Sequence, residues 1–439
     1  KEQEYFVAGM HDALITSLSK ITALRVTSRT SAVRVDKDLL MPNIGAMLGV
    51  ARLVEGSVTR EGDRIRIIVQ LIDAATDQHL WAESYERRFT GILSLQSEMA
   101  RSIADAIEIR LTPDEERRLS VNRTVSPETY EAYLKGMFQM HKETPRSYRR
   151  GIEILTEAVE NDPTSALAYA GLAYGYSKLG HSPFPEDAYP KARDAALKAL
   201  ELDDTLAEAH LAVAMYKLYY EWNWEAAERG FERALELNPS LVLANYHYAW
   251  MLELLNRKDE ALVYGQRTKV LSPLSPFMTG WLADQYRSSG LYERAIEEAN
   301  YTFELSENYP VAWLVLGATY AEMGKFDEAI AAHEHLRDSY FWSFALGSTY
   351  AMAGYTENAQ AILNTIEAKP ENSVPLVLIN AAMGNVEETF RWLEAARSIR
   401  VPWYPWRVAW FPHTAAMKND PRMQELAQRL KLQVPPIST

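Results

Sequence analysis

An internal repeat limits the folds open to this chain more than any other feature. Pro239, Pro273 and Glu307 are evenly spaced, and the same residue types return around that period. The clearest copy starts at Pro310 and holds Trp313, Leu316-Gly317, Tyr320, Gly324 and Ala329. The copy from Pro276 holds Leu282-Ala283, Tyr286, Gly290 and Ala295, and the one from Glu208 holds Ala227, Phe231 and Ala234 before closing at Asn238-Pro239. Another is centred on Tyr246. A short copy at Leu346-Gly347, Tyr350, Gly354 and Ala359 follows its predecessor by slightly less than a full period. An earlier one holds Tyr169, Leu172-Ala173, Tyr176 and Gly180. It then takes an insertion, His181–Asp187, before resuming at Ala192, Ala196 and Ala199. A first copy covers Ala132–Pro163, and a degenerate last one runs through Gly384, Leu393 and Ala396. The count comes to about eight helix pairs.

The spacing has a physical reading. Small residues at fixed positions let the first helix of each pair (helix A) approach the second (helix B), and the large residue between them fills the remaining groove. Gly180, Gly290, Gly324 and Gly354 are expected to end A helices, where a left-handed residue is needed. One pair cannot bury its own apolar face, so the pairs stack into a superhelix with A helices lining its concave side.

Positions 1–112 follow other periods. Tyr5–Ile21 reads as an amphipathic helix through Phe6, Met10, Leu14 and Leu18. Leu24–Thr27 reads as a short strand, and Pro42–Leu48 as a short helix capped by Gly49. Alternation then predicts three strands, Leu53–Thr59, Arg64–Asp73 and Gln78–Tyr85, with Ile65, Ile67, Val69 and Leu71 on one face. Leu93–Leu111 reads as a helix ended by Pro113. Residues 113–125 read as a linker. The fold class expected is α+β overall and mostly α: a small α/β sandwich followed by a right-handed α-α superhelix over residues 126–432, with a tail at 433–439.

Particular residues carry resemblances in both regions. Glu4-Tyr5-Phe6, Gly9-Met10, Leu24-Arg25-Val26, Val54-Glu55-Gly56-Ser57-Val58, Leu71-Ile72-Asp73-Ala74 and His79-Leu80-Trp81 resemble a TolB amino-terminal-like (FlgO-like) domain. Such domains usually open with an apolar strand upstream of the first helix, and this chain starts after that point. The repeat is similar to the tetratricopeptide (TPR) pattern. Asn419-Asp420-Pro421-Arg422-Met423 resembles the closing helix of such TolB-like repeat proteins. Val401–Trp406 is too proline-rich for helix and is expected to pack its aromatics over the end of the stack.

Composition narrows the chemistry. The chain has no cysteine, which excludes a disulfide framework, thiolate metal sites and a cysteine nucleophile. It lacks the H-E-x-x-H, G-x-x-x-x-G-K and G-x-S-x-G patterns. His333-Glu334-His335 puts two imidazoles on different sides of a helix and reads as a solvated helix end. No catalytic residue, metal site or cofactor is expected. Of the net charge of −13, residues 1–112 carry −1 and the remainder −12, so a nucleic-acid partner is disfavoured. The longest charge-free apolar stretches are far shorter than the roughly twenty residues of a spanning helix. The Lys1–Tyr5 start does not resemble a signal peptide, and the chain reads as a mature or trimmed piece.

Repeat positions put Tyr174, Tyr216, Tyr220, Tyr246, His247, Trp250, Trp281, Asp284 and Arg287 on the concave face. Tyr and Trp give large contact area at low entropic cost, so a groove for a protein or peptide is expected there, against the alternative that these rings pack between neighbouring helices. The resemblance implies the sensory or interaction half of a bacterial signalling protein, set behind a winged-helix regulator of the CadC/ToxR type, an adenylate cyclase or a kinase. An upstream membrane helix would make this segment periplasmic, and without one it would be cytoplasmic. The alternative is a constitutive subunit of a membrane-associated complex or homo-oligomer.

Overall fold

The computed structural model describes residues 4–36, 38–119, 126–181, 187–405, 417 and 420–432. Helix α1 (Glu4–Leu18) is followed by two short helices, α2 (Arg29–Ala32) and α3 (Met41–Leu48). An antiparallel meander comes next: β1 (Arg52–Glu61), β2 (Arg64–Asp73) and β3 (Gln78–Arg88), with β2 in the centre. Ile65, Ile67, Val69 and Leu71 of β2 are buried under α1 and α4 (Ile92–Ala106), against Phe6, Met10, Leu95 and Met99. The opposite face is wet, as the period-two pattern requires. Gly49 caps α3 at φ 63°.

Three local expectations differ from the structure. Leu24–Thr27 is irregular, because its partner is the solenoid and not a strand. Ser28 N donates to Leu271 O at 2.7 Å, and Val26 N reaches Ser240 Oγ at 3.5 Å. Helix α4 stops at Ala106, with Glu108 left-handed (φ 59°). Pro113 instead starts a further helix, α5 (Pro113–Leu119), at a position where its missing N–H costs nothing. Glu115 of α5 accepts from Thr22 N (2.7 Å) and Thr112 N (2.8 Å), so residues 113–119 are pinned to the first domain. The rest of the expected linker, 120–125, lies outside the described residues, as does the tail at 433–439.

Eight antiparallel helix pairs follow among the described residues. They are α6/α7 (Pro127–Met140, Pro145–Asn161), α8/α9 (Ala166–Gly180, Ala188–Leu202), α10/α11 (Ala207–Tyr216, Trp224–Leu237) and α12/α13 (Val242–Leu254, Lys258–Leu271). Then come α14/α15 (Pro276–Ser288, Tyr292–Leu305), α16/α17 (Pro310–Glu322, Phe326–Glu334), α18/α19 (Trp342–Met352, Thr356–Thr365) and α20/α21 (Ser373–Ala382, Val386–Ser398). The two layers differ in chemistry. A helices such as α12 and α20 are buried almost all round, from Ala244 to Leu254 and from Ser373 to Ala381. B helices such as α7 and α11 keep one apolar stripe and a charged outer face. Gly290, Gly324, Gly354 and Gly384 are left-handed at A-helix ends, with φ of 76–83°. Gly180 departs from that rule. It ends α8 in helical conformation and makes room for the ring of Tyr189, which would lie 2.7 Å from an added Cβ. A last helix, α22 (Pro421–Arg429), lies on α21: Arg422 holds Glu387 at 2.9 Å, and its guanidinium sits 4.0 Å above the Phe390 ring.

The first domain is docked on the solenoid. Gly9 of α1 lies so close to α6 that an added Cβ would come within 2.5 Å of Leu134. Ser28 and Ser272 share a 2.7 Å hydrogen bond, and Ser31 Oγ accepts from Leu274 N at 3.0 Å. Ile44 and Leu48 of α3 bury themselves with Leu274.

Candidate functional site: the concave face

The concave residues fall into three groups. In the first, α10 passes through a wider π-type turn, Lys217–Glu221, before a left-handed Trp222 (φ 56°). The turn lets Tyr216 stack on Tyr220, rings 5.3 Å apart, while Tyr219 points inward. Arg193 Nη1 donates to Tyr216 OH at 3.0 Å, and Arg400 covers the Tyr220 ring at 4.6 Å.

In the second group, Tyr246, His247 and Trp250 of α12 are all buried. Trp250 meets Trp281 edge-on at 5.4 Å, and Tyr246 meets Phe277 at 5.2 Å. Tyr219 OH lies 2.9 Å from His247 Nδ1, and the His247 and His181 rings are 5.1 Å apart. Burial pushes His181 down to about 3 and His247 well below the usual histidine range, so both imidazoles are neutral.

The third group is ionic. Arg287 Nε donates to Asp284 at 2.8 Å, and its Nη1 pairs with Glu322 of α16. Glu253 of α12 stands beside them. Burial, reinforced by the Asp284 charge, pushes its carboxyl up to about 8. Asp284 and Arg287 are therefore brought together, but as partners of each other.

The chain itself covers much of this face. Trp403 lies edge-on to Tyr219 (5.4 Å), His181 (5.6 Å) and Trp250 (5.9 Å). Tyr404 packs on Trp222 at 5.2 Å, Arg400 donates to Tyr220 O at 2.7 Å, and Trp224 Nε1 donates to Leu430 O at 2.5 Å. Trp403 thus crosses to the α8, α10 and α12 region, while Tyr404 also lies beside Glu394 and Arg397 of α21 and Arg429 of α22 at the end of the stack. Tyr404 and Pro405 are helical, against the proline-rich reading, and Trp406 lies outside the described residues. At the other end, α1 lies over the concave side of α6, α8 and α10, and Tyr174 faces the cavity between them. Among the expected groove residues, Tyr216, Tyr246, His247 and Trp250 are buried, while Tyr220 and Trp281 keep partial exposure.

Sequence reasoning passed over Phe277, Glu253 and Glu322. Glu253 stands one full repeat before Arg287, so the period itself marks it as concave. Phe277 remains 39% exposed and extends the ring surface outward. His333 is not at a solvated end. It is buried, with Nδ1 2.9 Å from Thr349 Oγ1 and Nε2 3.2 Å from Leu314 O, while His335 stacks on Trp313 at 3.9 Å. Among the described residues, no group of three or more metal-ligating side chains is gathered, and no helix is long and apolar enough to cross a membrane.

The molecule is thus a solenoid of tetratricopeptide-type helix pairs with a small α/β domain packed along its amino-terminal half. No protein-family model matches the chain. Over 219 residues it is 32% identical to a protein of Rhizobium meliloti named, provisionally, as adenylate cyclase 3, which is 49% of this chain and 37% of that one. Over 132 residues it is 27% identical to the transcriptional regulator HilA of Salmonella typhimurium, 30% of this chain and 24% of that one. The chain therefore spans less than two fifths of the length of either relative. A solved tetratricopeptide repeat protein from Parabacteroides merdae is similar at 14% identity and a TM-score of 0.41, over 58% of this chain and 98% of that one.

Proposed function

We propose that this chain is the non-catalytic partner-binding part of a bacterial signalling or envelope protein. The observation that carries the reading is the ring surface Phe277–Trp281 on α14, which continues the buried Tyr246–Trp250 packing into solvent. Exposed aromatics seated on a rigid base are suited to anchor a protein or peptide. The two relatives bear names with different outputs, a nucleotide cyclase and a transcriptional regulator. A shared interaction half joined to different effectors accounts for that. The TolB-like character of the first domain, and a periplasmic position behind an upstream membrane helix, belong to the same proposal.

The test is site-specific photo-crosslinking in cells. A photoreactive residue at Phe277 is expected to give a discrete adduct, and one at Val263, exposed on the outer B layer, is not. Equal labelling from both positions would remove the concave assignment. A second reading, a constitutive subunit of a membrane-associated complex, draws on the sheet edges. Among the described residues β1 and β3 each pair with β2 alone, and Val54 and Leu80 are exposed on them. An edge of that kind accepts a neighbour's strand. Adducts from Val54 rather than Phe277 would favour it.

A further inference from the structure

The amino-terminal half of the concave face encloses a separate space. Between α1 and helices α6, α8, α10 and the start of α12 lies a cavity of about 270 Å³. That volume is near the lower end of small-molecule sites, about 300–1,000 Å³. At ~30 Å³ per water-sized group it holds roughly nine of them.

The lining has two characters. Leu134, Met137, Leu211 and Met215 form an apolar wall. Tyr174, Ser177 and Lys178 of α8 form a polar end. Ser177 is 3% exposed, and its Oγ finds no hydrogen-bond partner among the described residues. Lys178 lies over the Tyr174 ring, 5.6 Å from its centre, and burial lowers its pKa. A buried hydroxyl without a partner, beside a half-buried cation, is costly unless something pairs with it.

The charge balance decides the sign of the ligand. Lys20, Arg118 and Lys178 line the cavity against Asp12 and Glu208. Asp12 is already engaged: its carboxylate lies 3.0 Å from Arg29 Nε and 3.3 Å from His141 Nδ1. Burial also pushes the Asp12 carboxyl up to about 7. Arg118 is engaged as well, donating to Glu236 O at 2.6 Å, and the lining as a whole still holds three cations to two carboxylates in a chain whose net charge is −13.

We propose that this cavity binds a small amphipathic organic anion, with its acid group at Lys178 and Ser177 and its apolar body along Leu134, Met137, Leu211 and Met215. The site is built jointly by the first domain and the repeats, so an occupant stabilises their docking by mass action. It lies apart from the Phe277–Trp281 surface, and the two proposals fail independently.

The test is calorimetric titration of the full chain with octanoate, octanol and octylamine. Octanoate is expected to bind at least about tenfold more tightly than either of the others, a difference of ~1.4 kcal/mol. Lys178→Met is expected to remove that advantage while leaving octanol unchanged, and it replaces a half-buried charge by an apolar side chain of similar length, so it does not endanger folding. Ala13→Phe, which fills the cavity from α1, is expected to abolish octanoate binding with the helical circular dichroism intact. If Ala13→Phe unfolds, the Lys178→Met comparison decides alone. The proposal is overturned if no probe binds, if octanol or octylamine binds as well as octanoate, or if Lys178→Met retains the full octanoate affinity.

Discussion

Trp403→Ala is expected to lower the unfolding free energy by about 3 kcal/mol, the low end of the range for losing a packed Trp. Trp403 makes three edge-on ring contacts, to Tyr219, His181 and Trp250, at 5.4–5.9 Å. Such pairs contribute roughly 0.5–1.5 kcal/mol each beyond area burial. The low end applies because Trp403 keeps part of its surface in solvent. The substitution leaves the segment tethered through Arg400 to Tyr220 O and through Leu430 O to Trp224, so the helix pairs stay formed. What changes is local: the indole that covers Tyr219, His181 and Trp250 is gone. Denaturant unfolding reads the loss, and increased binding of a hydrophobic dye at native conditions reads the uncovered rings. Stability within about 0.5 kcal/mol of wild type, the range of ordinary surface substitutions, would mean that the segment does not cover these rings in solution.

That cover was illegible in the sequence for a definite reason. The repeat period places Tyr246, Trp250, Trp281 and Asp284 on one face, because helix geometry and stacking are local and repetitive. Trp403 reaches Tyr219 from several repeats away in the chain, and nothing in its neighbours, Pro402 and Tyr404, encodes that partner. The same holds for Leu24–Thr27. Its β-branched character reads as strand, yet its polar groups go to Ser240 and, just beyond, to Leu271. Alternation in β2 was legible because Ile65, Ile67, Val69 and Leu71 meet one covering layer. Left-handed Gly290, Gly324 and Gly354 were legible because their conformation is set by the turn itself. Gly180 was not, because its role depends on Tyr189 of the next helix. In the concave site the period identifies the face, while the occupants α1 and Arg400–Pro405 arrive from outside the repeats.

Glu253→Gln is expected to stabilise the chain in a pH-dependent way. Glu253 is 4% exposed, and its Oε2 is buried without a hydrogen-bond partner among the described residues. Burial, with Asp284 adding to it, raises its folded pKa to about 8 from 4.5. The folded state therefore binds this proton more tightly than the unfolded chain does. The stability that results is fully present below the unfolded value and is lost as pH rises from there through the folded one. The cost is on the order of 5 kcal/mol once ionisation is complete. Glutamine keeps the shape and removes the titration. The difference in unfolding free energy between the variant and wild type is expected to be small near about pH 5, to grow through about pH 8 and to level above it. Asp12, raised to about 7 by burial, titrates in the same direction in both proteins and cancels in that difference. Denaturant unfolding of the two proteins across this range measures it, and a difference that stays constant with pH would show that Glu253 is ionised throughout. The protonated carboxyl also bears on recognition. With Glu253 neutral, Arg287 and Lys258 face Asp284 and Glu322, and the cluster is close to charge balance. Its charges pair α14 with α16, so the proposed recruitment of a partner rests on the rings at Phe277 and Trp281 and not on an acidic patch.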